Sequence, residues 1–67
     1  MNKVKVVTMG LGYIGLPTAS VLATRGFQVL GIDINPEIVA TINSGNIHIV
    51  EPGLHTLVQA AVKSNRL

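Results

Sequence analysis

GLGYIGLP, residues 10–17, sets three glycines at positions 10, 12 and 15 and a proline two residues beyond the last. Such a run is either a flexible turn or a phosphate cradle, and its flanks separate the two. Upstream, Val4 to Thr8 (VKVVT) is a β-branched run ending near glycine, which reads as a buried strand of a parallel pair. Downstream, Tyr13 to Thr24 carries Ile14, Ala19, Val21, Leu22 and Ala23, a pattern for a helix lying on a sheet. Pro17 is compatible with that helix, because the first amides of a helix have no intrahelical partner to lose. Arg25 and Gly26 then form its C-terminal end.

Phe27 to Ile32 (FQVLGI) reads as a second strand ending at Asp33. In the following INPEIVATINSG, Asn35 is the expected cap, Pro36 the first helical residue and Glu37 a carboxylate at the positive helix end. Ile38, Val39 and Ile42 form its apolar face and Gly45 ends it. Asn46 to Val50 (NIHIV) is expected to connect, with a brief extended stretch. In EPGLHTLVQAAVKS, Pro52 opens a third helix, with Leu54, Leu57, Val58, Ala61 and Val62 at helical spacing. The order strand, helix, strand, helix, helix predicts an α/β fold, with two parallel strands joined by a right-handed crossover. A third strand is expected near Leu67.

Gly-x-Gly-x-x-Gly between a strand and a helix, with an acid closing the next strand, is the arrangement that holds a dinucleotide. Gly10 would permit the tight turn, Gly12 the close approach of a pyrophosphate, and Gly15 the close packing of the helix. The loop contains no positive side chain, so amides and the helix dipole must carry the anion. Asp33 is placed to accept hydrogen bonds from an adenosine ribose. It would repel a 2′-phosphate, and DINP offers no arginine to offset it, so NAD is expected over NADP.

The 67 residues hold at most one small domain, 48% apolar and 12% charged. The net charge of +2 is scattered, with no basic run, so no nucleic-acid partner is expected. No stretch reaches the ~20 apolar residues of a membrane span. There is no cysteine, which removes disulfides, thiolate metal sites and a cysteine nucleophile from this chain and fits a reducing compartment. His48 and His55, with Glu51 nearby, are too few for a metal set, and both are expected to face solvent or cap local backbone. Ser20, Thr18 and Thr24 have no partner base.

GLGYIGLP after a strand, then GIDIN, then INSGNIHIVEPGL resembles the start of the UDP-glucose/GDP-mannose dehydrogenase family, the nucleotide-sugar 6-dehydrogenases. The likeness extends over essentially the whole chain. Thr8-Met9 departs from it, standing where the family usually has Ile or Val before the first glycine. The resemblance implies a partial Rossmann NAD-binding domain over residues 1–67, the first mononucleotide-binding unit. Carried over by position, the NAD contacts are Gly10, Leu11, Gly12, Tyr13, Ile14, Gly15 and Asp33. It further implies a cytoplasmic homo-oligomer that oxidises the C6 alcohol of a UDP-sugar, with catalytic cysteine and sugar-binding residues beyond residue 67. No catalytic residue is expected in this chain. A stand-alone nucleotide-binding module and another Rossmann dehydrogenase, of the 3-hydroxyacid or 6-phosphogluconate type, are the alternatives.

Overall fold

The computed structural model describes residues 6–67. The elements run β1 (Val6–Met9), α1 (Gly15–Thr24), β2 (Val29–Ile32), α2 (Pro36–Asn43) and α3 (Leu54–Lys63). The strands pair in parallel, from Val6 opposite Val29 to Met9 opposite Ile32. This is the expected α/β arrangement, with α1 as the crossover between parallel strands. Val4 and Lys5, the start of the expected first strand, lie outside the described residues.

The helix boundaries follow local chemistry. Asn35 caps α2 with its side chain, Oδ1 accepting from the Glu37 amide at 2.9 Å, and Pro36 is the first helical residue. At α3 the expectation needs correction. The helix begins at Leu54, with Gly53 as its N-cap at φ 79°, and Pro52 lies in the turn before it. A left-handed residue there demands glycine, so EPG is a turn that aims the helix. Residues 46–50 form no strand; they bend around His48 and Ile49.

The core lies between one face of the sheet, α1 and α3. Leu16, Ala19, Ser20 and Ala23 are the buried stripe of α1; Leu54, Val58 and Ala61 are that of α3. The small side chains at 19, 20, 23 and 61 allow the two helices to approach closely, and this is the largest helix–helix contact. Val29 and Ile42 complete the cluster from β2 and α2.

The strands are buried on one face only, which corrects the sequence expectation of a fully buried strand. Val6 and Thr8 face inward, whereas Val7, Met9, Leu30 and Ile32 are exposed on the opposite face. Beyond α3 the tail folds back along β2. The Val29 amide donates to the Arg66 carbonyl at 2.7 Å and Gln28 Nε2 to the Asn65 carbonyl at 3.1 Å, so the chain reaches the open edge of β2 where a third strand is expected. No helix among the described residues is long and apolar enough to cross a membrane.

Candidate functional site

The glycine loop leaves β1 with its first rung fixed: the Gly10 amide donates to the Ile32 carbonyl at 2.7 Å. Gly10 then turns at φ 94°, a conformation that side chains other than glycine's rarely accept. Gly15 begins α1 pressed against the outgoing loop, where a Cβ would strike the Gly10 carbonyl oxygen and lie 2.9 Å from its carbon. Gly12 is the opposite case, with no atom within 4 Å of a Cβ placed there. Its bareness keeps the backbone open to a ligand, whereas that of Gly15 lets strand and helix meet.

Ile14 is the N-cap of α1 and supplies no capping side chain, and the first turn carries no acid. The first intrahelical bonds run from Leu16 to the Gly12 carbonyl and from Thr18 to the Ile14 carbonyl. The amides of Gly12, Tyr13, Ile14 and Gly15 make no backbone hydrogen bond among the described residues. Tyr13 and Ile14 are exposed beside them. Four donors left free among the described residues, at the positive end of a helix dipole, can seat an anion, and the loop itself carries no side-chain cation.

Asp33 closes on this loop from across the sheet. Its Oδ2 accepts from the Leu11 amide at 3.0 Å and its Oδ1 from the Asn35 amide at 2.9 Å. The bond to Asn35, followed by that to Leu11, holds its carboxyl below the usual carboxylate range; partial burial opposes them and the charge of His48 assists. The geometry gives Asp33 a local turn at Asn35 and aims its other carboxylate oxygen at the loop. A carboxylate offers about four acceptor positions. The two amides leave room for two more, the number a vicinal diol requires.

Leu11 takes a different place from that expected. Its amide is engaged by Asp33 and is not free for a ligand. Its side chain is buried, 3% exposed, and packs over β2, where a Cβ on Gly31 would come within 2.9 Å of Leu11 Cδ2. Leu11 therefore positions the loop. His48 also departs from expectation: it is half-buried, and its Nδ1 is enclosed with no hydrogen-bond partner among the described residues. The one signal for it in the sequence is its position between Ile47 and Ile49, both packed against the core. His55 is exposed, as expected.

An open groove of 490 Å³ lined by Asn43, Gln59 and Lys63 among others crosses the C-terminal end of α2 and includes none of the glycine-loop residues. It lacks the convergent donors and carboxylate of the loop. The loop's chemistry suits a dinucleotide: free amides for a diphosphate, bare backbone at Gly12 to admit it, and a carboxylate beside them for a ribose.

Comparison with known proteins agrees with this arrangement. Residues 4–67 match the model of the UDP-glucose/GDP-mannose dehydrogenase family, NAD binding domain. The chain is 57% identical over 63 residues to a UDP-N-acetyl-D-mannosamine dehydrogenase of Campylobacter jejuni, covering 94% of this chain and 16% of that protein. It is 60% identical over 62 residues to an NDP-N-acetyl-D-galactosaminuronic acid dehydrogenase of Ralstonia nicotianae, covering 92% and 15%. Among solved structures, a GDP-mannose dehydrogenase from Pseudomonas aeruginosa in a ternary complex superposes with a TM-score of 0.87 at 38% identity, covering 98% of this chain and 14% of the other. A UDP-N-acetyl-mannosamine dehydrogenase from Staphylococcus aureus gives 0.87 at 41% identity, covering 91% and 15%. The chain thus spans about a sixth of the length of the curated relatives it matches.

Proposed function

Because the chain belongs to the UDP-glucose/GDP-mannose dehydrogenase family, through its NAD binding domain, we propose that residues 1–67 are the first mononucleotide-binding unit of a longer NAD-dependent enzyme. That enzyme oxidises the C6 alcohol of a UDP-sugar to the uronate in surface-polysaccharide synthesis. UDP-N-acetyl-D-mannosamine is the favoured substrate, supported by the names of relatives 52–57% identical to this chain. The same reading carries a cytoplasmic homo-oligomer.

In this reading the diphosphate of NAD sits on the free amides of Gly12, Tyr13, Ile14 and Gly15, held by charge-assisted hydrogen bonds and the dipole of α1. Asp33 receives the adenosine ribose hydroxyls on the acceptor positions that Leu11 and Asn35 leave open. Gly10 and Leu11 shape the loop, and the exposed Tyr13 and Ile14 side chains border the bound dinucleotide. The nicotinamide supplies the hydride acceptor once bound. In this reading every contribution of this chain is to binding and orientation, and the chain has no cysteine.

The observation that carries the proposal is the bond from the Leu11 amide to Asp33 across 22 residues of sequence, which brings loop and acid together. The test is reduction of NAD by the full-length enzyme with UDP-N-acetyl-D-mannosamine, followed by absorbance of the reduced cofactor. Turnover supports the assignment. NAD binding without turnover overturns the substrate alone, and failure to bind NAD overturns the site.

A further inference from the structure

We propose that Asn35 and Pro36 are specificity-determining residues for the cofactor: together they leave the start of α2, beside Asp33, without an amide that could receive a 2′-phosphate. The inference rests on the adenosine ribose lying at Asp33, as proposed above. It deepens that reading, because the choice of NAD over NADP then has a second cause besides the charge of Asp33.

The turn from β2 into α2 is fastened to Asp33 itself. The Asn35 amide donates to Asp33 Oδ1 at 2.9 Å, which places residue 35 directly beside the carboxylate. Asn35 also uses up the donors that follow it. Its Oδ1 accepts from the Glu37 amide at 2.9 Å, and its carbonyl accepts from the Ile38 and Val39 amides at 3.1 and 3.2 Å. Pro36, between them, has no N–H to offer. Each position from 35 to 39 therefore has its amide engaged or lacks one. Glu37, exposed in the first turn, adds a negative charge at the same place.

The contrast with α1 gives this arrangement its meaning. A helix ordinarily leaves its first amides without intrahelical partners, and those amides are what seat a phosphate. The start of α1 keeps them: it has no capping side chain and no acid in its first turn, and the amides of Gly12 to Gly15 make no backbone bond among the described residues. The start of α2 has a side-chain cap, a proline and an acid instead. Leu11 and Asp33 join the two through the 3.0 Å bond between them. One helix thus receives the diphosphate, and the other meets the ribose edge with no donor to spare. A vicinal diol needs only the acceptor positions of Asp33. A 2′-phosphate brings about two negative charges and three acceptor oxygens, and at the start of α2 those oxygens face engaged amides.

The test is displacement of NADH, followed by its fluorescence, from the full-length protein by NAD and by NADP, for the wild type, Pro36→Ala, Asn35→Ala and Asn35→Ser. Pro36→Ala restores an N–H, and Asn35→Ala releases that of Glu37; neither changes a charge. Each is expected to lower the ratio of NADP to NAD dissociation constants about tenfold, the lower end of what one charge-assisted hydrogen bond supplies. NAD affinity itself should stay close to the wild-type value. Asn35→Ser keeps a side-chain cap and is expected to keep the wild-type ratio. A variant that is merely less stable weakens both cofactors alike, so only a specific gain for NADP supports the inference. An unchanged ratio in Pro36→Ala or in Asn35→Ala overturns the role of that residue. A fall in Asn35→Ser equal to that in Asn35→Ala overturns the cap as the cause. In each of these cases NAD binding by the wild type leaves the site assignment standing, whereas its absence overturns both.

Discussion

Gly12 and Gly15 are three residues apart in one loop, and replacing each by alanine is expected to fail in a different way. At Gly15 the new Cβ strikes the Gly10 carbonyl. Overpacking against side chains ordinarily costs about 1–3 kcal/mol. Here the obstacle is backbone, anchored by the 2.7 Å bond from the Gly10 amide to Ile32, and cannot rotate aside. Exchanging glycine for alanine in a helix returns at most about 1 kcal/mol, and less at the first position. The clash therefore wins, leaving a net loss of about 2–3 kcal/mol, a roughly thirty- to one-hundred-and-sixtyfold fall in the folded-to-unfolded ratio. At Gly12 the Cβ meets nothing within 4 Å and the backbone is not left-handed, so stability should change by less than about 0.5 kcal/mol. The methyl group would instead stand in the path of the diphosphate. Charge-assisted hydrogen bonds contribute about 1.5–3 kcal/mol each, so displacing one lowers NAD affinity about tenfold or more; Gly12→Val should abolish binding. Urea unfolding and calorimetric NAD titration of the full-length protein separate the two effects. The reasoning is refuted if Gly15→Ala unfolds at the wild-type midpoint, or if Gly12→Ala binds NAD as the wild type does.

Asp33→Asn should weaken NAD binding and narrow the preference over NADP; equal wild-type affinities for the two cofactors would contradict the ribose assignment. The same variant should flatten the acid limb of the stability curve. The folded carboxyl is held below its usual range, so its contribution is complete above the unfolded value near ~3.9 and is lost as pH falls through the folded one. Acid unfolding followed by circular dichroism checks this, and identical acid limbs would count against it. Asn35→Ala removes the cap on the Glu37 amide and should cost about 1 kcal/mol in urea unfolding; no loss would show that the cap is idle. Ser20→Ala should be neutral or stabilising, since its Oγ is buried without a partner among the described residues; a loss above ~1 kcal/mol in a thermal melt would contradict this.

What was legible in the sequence was what local rules control. The tight turn at Gly10, the close packing at Gly15 and the Asn35–Pro36–Glu37 start of α2 each have a backbone reason for standing where they do, and the structure bears these readings out. Less legible was whatever depends on contacts distant in sequence. Leu11 reads as a contact residue from its place in the motif, yet its amide is spent on Asp33 and its side chain on β2, which only the folded register reveals. His48 reads as facing solvent or capping local backbone because nothing local encloses it. The exposure of Val7, Met9, Leu30 and Ile32 was hidden for a related reason: an apolar strand reads as buried on both faces, and composition does not say how many layers surround it. At Pro52 the rule that proline opens helices competed with the turn chemistry of Gly53, and the turn won.

The anchoring of Leu11 gives the two halves of the site a common ruler. Because one residue is fastened by its amide to the acid and by its side chain to the strand beneath, the span from cradle to carboxylate is set before any dinucleotide arrives. Ligand then enters a preformed mould, and little affinity is surrendered to ordering the loop. Positions 11, 31 and 33 consequently behave as one mechanical part: a methyl group added at Gly31 would press on Leu11 and be felt at the free amides beyond it, and trimming Leu11 in the same molecule is the compensation that would restore the gauge.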